Sequence, residues 1–107
     1  MHEGSVEPEK RIAAWRALRE AKAAMEELIA DAVRMNDTRP MYEKLKKWLG
    51  TVGDAEKEVG NLISDEEPFT HLLELRRIAV QLRQLGQRKT DSIAQMIERA
   101  DGHLMDV

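Results

Sequence analysis

The sequence predicts an all-α fold, an up-down-up three-helix antiparallel bundle with long helices. Three observations carry this expectation. Apolar residues recur at alternating spacings of four and three along three stretches, the pattern of helices that bury one face. Proline occurs only at positions 8, 40 and 68, each where a helix can begin. There are no β-branched runs, and no Asn-Gly or Asp-Gly turn joins two alternating segments. A chain of 107 residues has the size of one domain, so 1–107 is read as a single helical-bundle domain with 1–6 as a flexible N-terminal tail.

The first helix is expected over roughly 7–36. Pro8 suits its first turn, with Ser5 or Glu7 as capping residue. Its stripe is Ala14, Leu18, Ala21, Met25, Leu28, Ala32 and Met35. Ile12, Trp15, Ile29 and Val33 widen that stripe on one flank, as a helix touching two neighbours requires.

The second helix is expected over 39–63, opening at Pro40 behind Asp37 or Thr38. Its stripe is Met41, Leu45, Trp48, Val52, Ala55, Val59 and Leu62. Gly50, Gly53 and Gly60 lie within it, and each costs about 0.5–1 kcal/mol relative to Ala in a helix interior. A bend or break is therefore expected near Gly50–Gly53.

The third helix is expected over 66–104. Pro68 follows Ser64 and Asp65, and Ser64 with Glu67 has capping-box spacing. Leu75, Ala79, Leu82, Gly86, Ile93, Ile97, Ala100 and Leu104 form its stripe. Leu75 and Ile93 stand eighteen positions apart, five turns at 3.6 residues per turn, which favours one continuous helix. The alternative is a four-helix bundle with helix 3 broken near Gly86, Gly86 capping one helix and Thr90 or Asp91 starting another.

A continuous third helix would be roughly 55 Å long against roughly 37 Å for the second. Its far end would overhang, leaving Met96, Ile97 and Leu104 without cover. Uncovered apolar surface of that kind implies self-association or a protein partner. The expected function is thus a non-catalytic helical interaction or oligomerisation module, an adaptor that packs helix against groove as a coiled coil does. Its expected partner-binding residues are Ile12, Trp15, Met96, Ile97 and Leu104. On this reading Ile97→Glu would dissociate an assembly and leave the helices intact.

Composition narrows the remaining classes. Charged residues make up 35% of the chain and aromatics 4%, so the core must be aliphatic. Cysteine is absent, which removes disulfides and thiolate metal sites. No Ser or Thr sits beside a plausible base, and Gly50 and Gly53 lack the Lys-Ser/Thr of a phosphate-binding loop. No catalytic residue and no cofactor are expected. Glu67, His71 and Glu74 share one side of the third helix, but no other helix offers matching ligands, so no metal site is expected. No apolar run approaches a membrane span, and Met1–Ser5 lacks the basic and apolar regions of a signal peptide; the expected compartment is the cytoplasm.

The net charge of −3 gives no overall field for nucleic acid. Arg76, Arg77, Arg83, Arg88 and Lys89 nevertheless form a block without acids. An alternative function is a nucleic-acid-associated accessory protein using that face, although interleaved aromatics and helix-turn-helix spacing are both missing. The favoured reading of the block is pairing with the acids between Asp54 and Glu67.

Trp48-Leu49-Gly50 is a W-x-G tripeptide near the middle of the chain, with Leu45 before it and Ala55 and Val59 after it. It resembles the motif of the small helical-hairpin proteins exported by type VII secretion systems. That resemblance implies a turn between two helices at the tripeptide, and export from the cell. Pro40 and Pro68 depart from it, because both fall inside the helices of such a hairpin. No Tyr precedes the C-terminal segment at the export-signal spacing either.

Overall fold

The computed structural model describes residues 8–60 and 70–105, and every regular element among them is helical. The helices are α1 (Pro8–Arg34), α2 (Pro40–Gly60), α3 (Leu72–Gln84) and α4 (Arg88–Met105). This corrects the three-helix expectation. The helix over 66–104 does not form; the chain turns back at Gly86 and builds a four-helix bundle. Gly86 adopts φ +67°, a left-handed conformation that suits glycine. Its N–H donates to the Arg83 carbonyl at 3.1 Å and closes α3. The Gln87 carbonyl then accepts the Asp91 N–H at 2.9 Å and the hydroxyl of the fully buried Thr90 at 3.0 Å, which starts α4.

The start of the third expected helix moves as well. Thr70 and His71 form a turn and α3 begins at Leu72 rather than 66. Pro68 and the Ser64–Glu67 capping box lie outside the described residues. The shared phase of Leu75 and Ile93 has another source than helix continuity. Both are fully buried because α3 and α4 each turn an apolar face to the same core.

Pro8 and Pro40 occupy the first positions of α1 and α2, where a missing N–H breaks no helical bond. α1 closes on Asn36 at φ 53°. The Asp37 N–H reaches the Ala32 carbonyl at 2.8 Å and the Asn36 N–H reaches that of Val33 at 3.2 Å, the two bonds of a Schellman motif. Met35 falls in this turn and is 78% exposed, so the first stripe ends at Ala32. We expect Asn36→Ala to lower stability by about 1 kcal/mol, because alanine tolerates the left-handed region less well; a urea melt reads this. α2 runs without interruption through Gly50 and Gly53, so the expected break is not there. Trp48-Leu49-Gly50 is helical throughout, and the turn implied by the W-x-G resemblance is not formed.

The four helices form a ring in which chain neighbours pack antiparallel and α4 closes onto α1. Neither α1 with α3 nor α2 with α4 comes into close approach. The α1–α2, α1–α4 and α3–α4 seams are extensive, whereas α2 and α3 touch lightly. Inside lie Leu18, Met25, Leu45, Val52, Leu75, Leu82, Ile93 and Ile97, an aliphatic core as the composition requires. Among the described residues, no helix is long and apolar enough to cross a membrane.

Candidate functional site

At the end of the bundle where α1 begins and α2 finishes, the two helices bound an open hollow of about 550 Å³. α1 supplies Arg11, Ile12 and Trp15; α2 supplies Glu56, Lys57, Val59 and Gly60. Spacings of four and three place Arg11 and Ile12 beside Trp15, and Glu56 and Lys57 beside Gly60. Gly60 lets the indole approach: a Cβ there would lie 3.3 Å from Trp15 Nε1. The Arg19 guanidinium stands over the Trp15 ring, 4.8 Å from its centroid, a cation–π geometry. Glu56 lies 3.6 Å from both Arg19 Nε and Lys22 Nζ, so two cations already answer its charge. Lys57 forms no ion pair with another described residue. The rim thus leans positive around an apolar floor, on which Ile12 is half exposed and Trp15 half buried.

Of the five expected partner-binding residues, the structure brings Ile12 and Trp15 together in this hollow. The other three are elsewhere. Ile97 and Leu104 are core residues, and Met96 packs half buried against the same core. Their assignment rested on an overhanging helix end, and the turn at Gly86 folds that end back against α1. Gly60 and Lys57 escaped sequence reasoning. The one available signal was the placement of Trp15 beside the end of the second helix.

The basic block is likewise divided. Arg83 forms a bidentate pair with Glu98, at 2.6 and 2.7 Å, and Arg76 Nε reaches Asp101 at 3.0 Å. Both pairs join α3 to α4 rather than to the acids of α2. Arg77, Arg88 and Lys89 remain exposed without an ion pair among the described residues.

Of Glu67, His71 and Glu74, Glu67 lies outside the described residues and His71 has a partner on another helix. His71 stands 3.2 Å from Glu58 on α2, and no group of His, Asp and Glu among the described residues is placed to hold a metal ion. Glu58 also accepts the Thr70 N–H at 2.7 Å and the Thr70 hydroxyl. Partial burial pushes the Glu58 carboxyl up, but the hydrogen bonds from Thr70 and His71 outweigh this and hold it below its ordinary value. Glu98 is lowered by its hydrogen bonds to Arg83, and Asp37 by those from the Arg39 side chain and backbone.

All three carboxyls bind protons less readily folded than unfolded. Their stabilisation is complete above the ordinary carboxylate range, about pH 4, and is lost as pH falls through the lowered folded values. Thermal melts are expected to be flat in this respect from pH 7 to 5 and to drop below about 4. Glu58→Gln should drop less steeply than the wild type.

No protein-family model, no curated protein and no solved structure matches this chain.

Proposed function

We propose that this protein is a non-catalytic helical interaction module of the cytoplasm that binds an apolar segment of a partner protein in the hollow beside Trp15. The observation that carries the reading is the pairing of an accessible indole and isoleucine with a rim where, among the described residues, Lys57 has no ion pair and Glu56 is answered by Arg19 and Lys22. An aromatic anchor with a charged border is the composition of an interaction hot spot. Charge complementarity defines the occupant: an amphipathic helix with anchors at i, i+3 or i+4, flanked by carboxylates.

The test is a selection from a displayed library of amphipathic helical peptides against the wild-type protein. Selected peptides should carry acidic flanks and should lose binding at least tenfold to Ile12→Glu and to Lys57→Glu. Circular dichroism should find both variants folded, because both side chains are exposed. Peptides that bind wild type and both variants alike would refute the reading. So would light scattering that finds a dimer dissociated by Ile12→Glu, since the occupant is then a second copy.

A further inference from the structure

The ring of helices has one weak joint. Ion pairs cross the α1–α2 seam at Glu56 and the α3–α4 seam at Arg76–Asp101 and Arg83–Glu98. The α2–α3 seam is the one of light contact, and among the described residues its polar tie is the Glu58 carboxylate with Thr70 and His71. Glu58 lies at the end of a stripe with Trp48, Thr51 and Ala55, which therefore marks the side of α2 turned to α3. Leu75, Ile78, Leu82 and Leu85 continue from His71 on the facing side of α3.

α3 has little to hold it apart from its neighbours. It is the shortest of the four helices, at 13 residues, a length that is marginal for an isolated helix. The His71 side chain makes no capping hydrogen bond at its start. Glu58 instead ties down the residue before the cap from another helix, accepting from both the amide and the hydroxyl of Thr70.

We propose that the bundle opens at the α2–α3 seam, and that Glu58 is the latch that keeps it shut. Release frays the start of α3 and uncovers the Trp48 side of α2, while α1, α4, the α1–α2 seam and the ion-paired α3–α4 seam stay packed. The device is independent of the hollow at Trp15.

Hydrogen exchange on the full chain tests it, with tryptophan quenching by acrylamide in a Trp15→Phe background that reports Trp48 alone. Alanine is a good helix former, so Glu58→Ala removes the latch without weakening α2 itself. Amides of 75–79, in the first turns of α3, should exchange about tenfold faster, and Trp48 should quench more readily. Amides of 14–32 and 93–104 should keep wild-type rates. Thr70→Val, which removes one of the donors, should give the same pattern more weakly and serves if Glu58→Ala does not fold. Equal acceleration in all four helices, or unchanged exchange in α3, overturns the proposal. So does Glu98→Gln, a charge loss on the α3–α4 seam, if it exposes Trp48 as much as Glu58→Ala.

Discussion

Ile97→Glu is expected to unfold the protein. Ile97 is 0% exposed, within a core of aliphatic side chains. The substitution removes that packing and asks the interior to take a carboxylate with no partner. Together these cost about 4 kcal/mol or more, against a usual domain stability of about 5–15 kcal/mol. Protonation of the new glutamate relieves part of the penalty, so the variant should regain some helix on mild acidification. Far-UV circular dichroism and a urea melt provide the measurement. A variant that kept its full helical signal and only changed its hydrodynamic mass would restore the overhanging third helix and remove Ile97 from the core.

Gly86→Ala and Gly50→Ala are expected to move stability in opposite directions. A Cβ at either position meets nothing within 4 Å, so packing does not distinguish them. Backbone conformation does. Gly50 lies inside α2, where alanine gains about 0.5–1 kcal/mol by restricting the unfolded chain and favouring helix. Gly86 is left-handed, where an L side chain costs about 1–2 kcal/mol. Denaturant melts should give a higher midpoint for the first variant and a lower one for the second, each with an unchanged slope. A neutral Gly86→Ala would mean that the turn between α3 and α4 reaches its geometry without a left-handed residue.

Much of the fold was legible because helical stripes and proline placement act locally. Pro8 and Pro40 open α1 and α2, and the stripes running through Leu18, Met25, Leu45 and Val52 are the core. The continuity of the third helix was not legible in the same way. A stripe reports which residues face a core, not whether one rod or two carries them, and two helices facing one core can share a phase. The left-handed residue decides the matter, and Gly86 was visible as a possible cap. Its weight against the phase of Leu75 and Ile93 depends on how α4 packs on α1, which is a tertiary fact.

The site was half legible for a related reason. Ile12 and Trp15 lie one turn apart on a flank outside the main stripe, so their pairing follows from spacing alone. Glu58 is harder to find. Its partners Thr70 and His71 are twelve and thirteen positions later, and the pairing needs the two helices to be placed first. The same holds for Arg83 and Glu98, where the expected antiparallel packing of the second and third helices pointed the basic block towards the acids between Asp54 and Glu67.

The ring arrangement has a consequence for the order in which the molecule assembles. α1 with α2 and α3 with α4 are hairpins of chain neighbours, so each can form from local contacts with little loop-closure entropy. The α1–α4 seam joins the ends of the sequence and can be made only when both hairpins exist. Folding is therefore expected to rate-limit on docking of two preformed halves. Conservative truncations at Ile93 and Ile97 on α4 would then slow refolding, while those at Val52 in the first hairpin would mainly change how much of it is populated beforehand.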